Sequence, residues 1–353
     1  MKWKTTSLEK KWIFYDVGNS AFTLLVSTIM PIYFNYLASS AYVSEVNYLA
    51  FWGYATSAAT IITALLGPVL GTVSDFRGWK KRLFLISLLT GCLRVSTWFF
   101  KLMDLVSPDL YPAKAAYSLS LIFYDSMLTG CHDRTKRMDE VVVPPDTPGA
   151  YIGSCIPFLA SLALALFYET LGLTMKTAMG IAFLLIAIWW ICFSVPLLKS
   201  YRQIHCIEEH HHAISSGLCR LGHVFGELKR NRKVLFFLIA FFFYIDGVYT
   251  IIDMATAYGT ALGLDTTGLL LALLVTQIVA FPAALLFGRL SGKYKNAVLI
   301  RICIGAYFLI ALYGITLKEQ YQFWILAVCV GIFQGAIQSL SRSYFARIIP
   351  AER

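Results

Sequence analysis

Ten long apolar stretches recur along the chain, each bounded by charged or turn-forming residues. Each is about 18 residues or longer, the length that a helix needs to cross the hydrocarbon core of a bilayer. A chain segment in lipid satisfies its backbone hydrogen bonds internally only as a helix. The sequence therefore predicts an all-α membrane protein. The predicted spans are Trp12–Ala38, Tyr48–Val73, Leu83–Phe100, Ala113–Gly130, Tyr151–Tyr168, Ala178–Leu198, Val234–Met254, Gly268–Gly288, Ala297–Leu317 and Phe323–Leu340.

Composition excludes several other classes of protein. Of the 353 residues, 58% are hydrophobic and only 14% are charged, whereas soluble domains carry about 25% charged residues. A soluble enzyme, a nucleic-acid module and a disulfide-rich secreted domain are therefore excluded. The chain has no G-x-x-x-x-G-K-[ST] phosphate loop and no intramembrane hydrolase motif, so neither ATP-driven pumping nor an enzyme is expected. No cofactor is expected either.

The placement of basic residues predicts the orientation. With the N-terminus in the cytoplasm, 25 of the 30 Lys and Arg residues fall in cytoplasmic segments, and Arg94 lies within a span. Four lysines fall outside: Lys101, Lys114, Lys176 and Lys318. The net charge of +10 is thus explained by topology rather than by nucleic-acid binding. The expected location is the plasma (inner) membrane of a bacterium or an endomembrane, such as the vacuole, of a eukaryote.

The chain carries an internal repeat. Six spans precede the stretch 199–233 and four follow it, which predicts an N-terminal half (1–198), a cytoplasmic loop (199–233) and a C-terminal half (234–353). Residues 14–23 of span one align with residues 241–250 of span seven, so that Asn19 falls on Asp246. The loop 71–82 after span two has a weaker counterpart, 288–293, after span eight. Repeats of this kind are typical of secondary transporters, which bind substrate between the halves.

Several motifs resemble those of a known family. The loop 71–82 resembles the G-x-x-x-D-x-x-G-[basic] loop of the major facilitator superfamily. Further motifs resemble the vacuole effluxer family (autophagy-related amino-acid effluxers) and its bacterial relatives. These are Trp12-x-x-Tyr15-Asp16-x-x-Asn19-Ser20-x-Phe22, Phe123-Tyr124-Asp125-Ser126, Tyr151-Ile152-Gly153-Ser154, Asp246-Gly247-Val248 and Ser341-Arg342-Ser343-Tyr344-Phe345.

The resemblance implies a bundle of two pseudo-symmetric halves with twelve helices, of which this sequence supplies ten. We expect a C-terminal half that is truncated after its fourth helix, through a shortened reading frame or a fragment; a working ten-helix variant is the alternative. Residues 130–150 depart from the family pattern between better-matching segments. This departure raises the hypothesis of compensating frame errors in the gene.

Ionisable side chains inside spans are costly, so they normally face a cavity or a partner. Asp16, Asp125, Asp246 and Asp253 lie in spans one, four and seven. The resemblance implies that helices one, four, seven and ten line the substrate cavity. The candidate residues for substrate contact or proton coupling are these four aspartates with Asn19, Gln334 and Gln338. The alternative for Asp16 and Asp125 is simple hydration near the cytoplasmic interface.

Two further patterns have structural alternatives. The loop after span two predicts either a latch that holds one half in a given orientation or a plain topogenic loop. Its candidate residues are Gly71, Asp75, Arg77, Gly78, Lys80 and Lys81. The histidines 210–212 lack matched ligands elsewhere, so no metal site is expected.

These features predict a secondary active transporter of small metabolites that works by alternating access. Amino acids are an option for the cargo, and proton coupling is an option for the driving force. The alternative is a truncated or degenerate membrane protein that transports nothing and acts as a scaffold or sensor. The expected partners are the lipid bilayer and a small-molecule substrate. The sequence predicts neither the substrate nor the oligomeric state.

Overall fold

The computed structural model describes residues 6–40, 44–100, 110–131, 149–204, 206, 221–223 and 226–348. Within them lie ten long helices and no β-strand. The helices are α1 (Ser7–Ser40), α2 (Glu45–Ser74), α3 (Trp79–Phe100), α4 (Leu110–Cys131), α5 (Gly149–Phe167), α6 (Met175–Ser200), α7 (Arg232–Ala261), α8 (Thr266–Ser291), α9 (Asn296–Ile315) and α10 (Gln320–Ile348).

Each predicted span coincides with one of these helices. In the described ranges, seven helices are long and apolar enough to cross a membrane: α1, α2 and α6–α10. A shorter apolar run, Cys155–Phe167, belongs to α5. The number of crossings, the twelve-helix total and the division into halves stay predictions. Residues 132–148 and 210–212, which the sequence singled out, lie outside the described residues.

The helices alternate in direction along the bundle. We call the side on which α1 begins the N side and the opposite side the far side. Lys114, which the sequence counted as an outside lysine at the edge of span four, lies within α4, one turn after the far-side start of that helix. Its position allows it to contact other helices.

Helix α1 contains a π-helical segment at its centre, Leu25–Ile29, which the sequence did not predict. Before it, the helix begins with a capping box in which the Thr6 side chain accepts a hydrogen bond from the Glu9 amide. Within the segment, the Ser27 and Thr28 hydroxyls donate to the carbonyls of Thr23 and Leu24. Such bonds compete with the regular ladder and favour local irregularity.

Helix packing follows the same scheme twice. In the first six helices α2 and α3 both pack on α4, and α1 and α3 pack on α6. Among the last four helices α8 and α9 both pack on α10. One hydrophobic cluster belongs almost wholly to α1–α6, and a second belongs to α7–α10. Between the groups, α7 contacts α1 and α2, and α8 contacts α5.

The close crossing of α8 and α10 depends on Gly331. A Cβ atom on Gly331 would lie 2.7 Å from the backbone oxygen of Thr276. The Thr276 hydroxyl in turn lies 3.1 Å from the Ala327 carbonyl of α10. Because a backbone atom cannot move aside as a flexible side chain can, the two helices approach this closely only with glycine at this position.

Substituting Gly331→Ala should therefore lower the stability of the protein by about 1–3 kcal/mol, the usual cost of overpacking. The matched control is Gly305→Ala in α9, where an added Cβ would meet no atom within 4 Å. Thermal unfolding in detergent, followed by tryptophan fluorescence, measures both. Equal midpoints for the two variants would contradict the packing argument.

Candidate functional site

Aromatic residues of the sequence motifs form the packed core beside the candidate site. The Trp12 indole nitrogen donates to the Tyr124 carbonyl at 3.1 Å, and the two rings stack with centroids 4.4 Å apart. The Tyr15 hydroxyl lies 2.9 Å from the Ser120 hydroxyl. These contacts join α1 to α4 and leave the buried rings of Trp12, Tyr15 and Tyr124 unavailable to a substrate. These three motif residues therefore serve to pack the helices together.

A charged cluster joins the two groups of helices on the N side. Asp125 of α4 and Arg342 of α10 form an ion pair with 3.7 Å between Oδ1 and Nε, and their side chains remain 44% and 33% exposed. We call this contact the N-side ion pair. Asp16 of α1 lies within electrostatic range of Arg342 and Asp125. Asn19 follows one turn later, and its buried Nδ2 has no hydrogen-bond partner among the described residues. The cluster thus brings together Asp16, Asn19 and Asp125 of the predicted residues.

A second ion pair joins the groups on the far side. Lys114 Nζ of α4 lies 2.5 Å from Asp253 Oδ2 of α7, and the two side chains are only 14% and 25% exposed. We call this contact the far-side ion pair. The Trp52 indole of α2 donates to the Asp253 carbonyl at 3.2 Å. Asp253 is thus held by two helices, α2 and α4.

Asp246 lies apart from both ion pairs. It is exposed, and among the described residues no ion pair involves it. Asp246 precedes Asp253 by seven residues, which places both on one face of α7 about 10 Å apart. Because Asp253 contacts α2 and α4, Asp246 lies on the face of α7 that is turned towards the first six helices.

A cavity of about 350 Å³ lies between the π-helical segment of α1 and helices α7–α10. No charged side chain lines it among the described residues. The polar residues of its lining are Thr23, Ser27, Thr28, Thr250, Tyr258, Thr276, Gln277 and Gln334. Thr23 and Thr250 occupy equivalent positions of the internal repeat. Of the predicted site residues, only Gln334 lines this cavity.

The polar lining divides into groups that are already bonded and groups that are free. Ser27, Thr28 and Thr276 donate to backbone carbonyls of their own helices, and the Thr23 and Tyr117 hydroxyls bond to each other. The side chains of Thr250, Gln277 and Gln334 have no hydrogen-bond partner within the part of the chain that is described. The cavity therefore offers two free amides and a hydroxyl among apolar walls.

Helix α10 links the cavity to the N-side cluster. Gln334, Gln338 and Arg342 follow one another at intervals of four residues, so they lie along one side of the helix. Gln334 lines the cavity and Arg342 belongs to the N-side ion pair, about 12 Å away along the axis. Gln338 lies between them and is half-buried. The three side chains form a polar row from the cavity to the N side.

The loop between α2 and α3 is held by a residue that the sequence did not single out. Asp75 and Lys80 form an ion pair at 3.5 Å, and Gly78 has a positive φ of 80° that favours glycine. Gln203, just after α6, accepts from the Gly78 amide and donates to the carbonyls of Ser74 and Asp75. Of the remaining loop residues, Gly71 is half-buried, whereas Arg77 and Lys81 are exposed.

Sequence reasoning missed four residues for identifiable reasons. Lys114 lies at the edge of a predicted span and was interpreted only as an outside charge. Trp52 and Gln277 lie within apolar spans, where their single polar groups give no periodic signal. Gln203 is far from the loop in the sequence, and only the folded structure brings the two together. Of the four, only Lys114 carries a usable signal, since a lysine within the first turns of an apolar span suggests a charged partner.

No group of three or more His, Cys, Asp or Glu side chains that could hold a metal ion occurs in the described ranges. Of the cysteines in those ranges, Cys155, Cys192, Cys206 and Cys329 are half-buried or exposed, and none of them is in a disulfide. The polar groups at hand are carboxylates, amides, hydroxyls, these thiols and the Arg342 guanidinium.

Comparisons with known proteins identify the family of the chain. The profile of the family described as "Vacuole effluxer Atg22 like" matches residues 147–353. The chain is 35% identical to the uncharacterized MFS-type transporter YxiO of Bacillus subtilis over 98% of this chain and 82% of that protein.

For two fungal relatives, the aligned region covers a smaller part of the relative's own length. Autophagy-related protein 22 of Eremothecium gossypii is 29% identical over 48% of this chain and 38% of that protein. Autophagy-related protein 22 of Saccharomyces cerevisiae is 24% identical over 74% of this chain and 55% of that protein. On the profile match and the Bacillus relative, the chain is a multi-pass membrane protein that belongs to the Atg22-like vacuole effluxer family of major-facilitator-type transporters.

Proposed function

We propose that this protein is a secondary transporter of small metabolites that exposes one binding site alternately to the two sides of the membrane. The cavity between α1 and α7–α10 is the observation that carries the proposal, because its walls come from both groups of helices. A rigid tilt of one group against the other would change the side to which the cavity opens. Repeated halves with a site between them are the architecture on which such transport is built.

In this proposal the cavity binds the uncharged part of the substrate. Its walls are mainly apolar, and Gln277, Gln334 and Thr250 supply neutral donors and acceptors. Charged groups of a substrate would lie nearer to the N-side cluster, where Asp16, Asp125 and Arg342 are available. Amino acids fit this division, and the resemblance of the sequence motifs to those of autophagy-related amino-acid effluxers makes them the first cargo to test.

Proton coupling, if transport is coupled, is proposed for Asp16 and Asp125. Both carboxylates lie near one guanidinium, Arg342, so the cluster carries one negative charge more than Arg342 can neutralise. A proton on either carboxylate would remove that excess and release Arg342 from one partner. Asp253 is less suited to this role because Lys114 already neutralises it. Asp246, which has no ion pair among the described residues, remains a second candidate.

The proposed cavity predicts a specific effect on affinity. Replacing Gln334→Leu or Gln277→Leu should raise the KM for transport about three- to tenfold, the effect of losing one neutral hydrogen bond to the substrate. The matched control is Gln322→Leu, the same change near the start of α10, three turns from Gln334 and outside the cavity lining. Uptake into proteoliposomes, measured with a panel of labelled amino acids and other metabolites, gives the three KM values.

Two results of that uptake assay would contradict the proposal. An equal KM for all three variants would show that the cavity does not bind substrate. No flux of any compound by the unaltered protein would favour the competing function, a scaffold or sensor that transports nothing.

The proposed coupling predicts a separation of two activities. Asp16→Asn or Asp125→Asn should abolish accumulation driven by a pH gradient, because an amide keeps the shape of the carboxyl group and cannot take up a proton. Exchange of substrate at equal pH should remain within about threefold of the unaltered protein, since it needs no net proton movement. Asp246→Asn is measured beside them. Undiminished accumulation by both Asp16 and Asp125 variants would exclude coupling at this cluster.

A further inference from the structure

The connection between α8 and α9, on the N side, presents four exposed cations. They are Arg289, Lys293, Lys295 and Arg301. No aspartate or glutamate occurs in residues 266–318, and none of the four cations forms an ion pair with another described residue. We call these four residues, together with the exposed side chain of Tyr294, the basic patch.

Small polar residues anchor the connection to the protein and leave its cations outside. Ser291 and Asn296, which flank the turn, are both buried. The Asn296 amide donates to the Ser343 hydroxyl of α10 at 3.3 Å. Two backbone amides of the turn donate to the Leu290 carbonyl at the end of α8. The backbone is therefore held in place, and the charged side chains extend from a fixed base.

The internal repeat shows what the basic patch lacks. In the equivalent loop, 71–82, Asp75 forms an ion pair with Lys80, and Gln203 binds three backbone groups. Gly292 occupies the position of Asp75 in the second copy of the loop. The second copy thus has basic residues without the acidic one. Its positive charge is left for an anion from outside the described chain.

The position of Arg301 indicates the kind of anion. Arg301 lies five residues after the start of α9, about 8 Å along its axis, and α9 is long and apolar enough to cross a membrane. Its Nε donates to the Ala297 carbonyl at 3.2 Å, which turns the guanidinium towards the N side. Lipid surrounds the outer face of a membrane span, so the acceptors within reach of this exposed group are lipid headgroups rather than a soluble polyanion.

We propose that the basic patch binds the headgroups of anionic phospholipids in the leaflet on the N side. Arg301 would bind a lipid phosphate from within the span, and the cations of the turn would bind it from the water side. Tyr294 lies at the helix end, where aromatic side chains pack among headgroups. The proposal does not depend on transport, because no residue of the basic patch lines the cavity.

A tryptophan beside the basic patch tests which lipid lies there. The reporter is Val298→Trp, an exposed position three residues before Arg301 and therefore on the same face of α9. Its fluorescence is measured in phosphatidylcholine bilayers that contain a minor fraction of either brominated phosphatidylglycerol or brominated phosphatidylcholine. The same protein without Val298→Trp gives the background from the natural tryptophans. The measured quantity is the ratio of the quenching by the two brominated lipids.

The quenching ratio should exceed about three at low salt, since each cation near the surface attracts anionic lipid. It should fall to about one in high salt, which screens the charges, and when Gln replaces all four cations. Exchanging Lys for Arg and Arg for Lys at these positions should keep the ratio within about twofold.

The matched control removes four exposed cations near the start of α7. It replaces with Gln the residues Lys229, Arg230, Arg232 and Lys233. The quenching ratio should stay within about twofold of the unaltered value, because the reporter senses only the lipids beside α9 and the basic patch is intact.

Four results would overturn the proposal. They are a ratio near one with the basic patch intact, a ratio that survives the loss of its four cations, an equal loss in the α7 control, and a preference that inorganic phosphate removes at constant ionic strength. The third would show that binding follows total charge, and the fourth that soluble phosphate is the ligand. Should the fourfold variant fail to fold, Lys293→Gln with Lys295→Gln decides the question, with a ratio expected to fall by about half.

Discussion

Hydrocarbon cannot solvate charge, and this constraint governs the places where the bundle holds its carboxylates and cations. Each ion pair between the two groups of helices involves α4, which carries Lys114 towards the far side and Asp125 towards the N side. Eleven residues separate them, so they project from one face of α4 about 16 Å apart. Their partners carry the opposite polarity, with Asp253 on α7 and Arg342 on α10. Both pairs are formed in the structure, so α4 is held to the other group of helices towards both of its ends.

The motif residues serve two different purposes in the structure. Trp12, Tyr15 and Tyr124 pack α1 on α4. The buried Tyr124 hydroxyl has no hydrogen-bond partner among the described residues. The charged cluster on the N side consists of Asp16, Asp125 and Arg342. The two aspartates lie in the same motifs as the aromatic residues, and Arg342 lies in the last motif. The packing of the aromatic residues fixes the helices that carry the charges. The sequence motifs therefore contain both packing residues and candidate site residues, and the structure is needed to tell which is which.

The sequence predicted the elements well because the apolar stretches are long and their boundaries are charged. It also predicted that each of the four intramembrane aspartates would face a cavity or a partner. Asp125 and Asp253 form ion pairs, whereas Asp246 is exposed and forms none among the described residues. The sequence could not predict which partner each would have, because Lys114, Trp52 and Arg342 are far away in the chain. The cavity was missed except for Gln334, since its walls are apolar residues and hydroxyls that are common in any span. The π-helical segment arises from side-chain bonds that leave no periodic trace.

The central claim is that two groups of helices move against each other around the cavity. Distances between spin labels test it most directly, with one pair on the N side (Ile204 and Tyr294) and one on the far side (Thr170 and Leu262). These positions are exposed and lie at or between helix ends. The account predicts that a transported substrate or a pH change shifts the two distances in opposite directions. Distances that stay fixed, or that lengthen and shorten together, would contradict it.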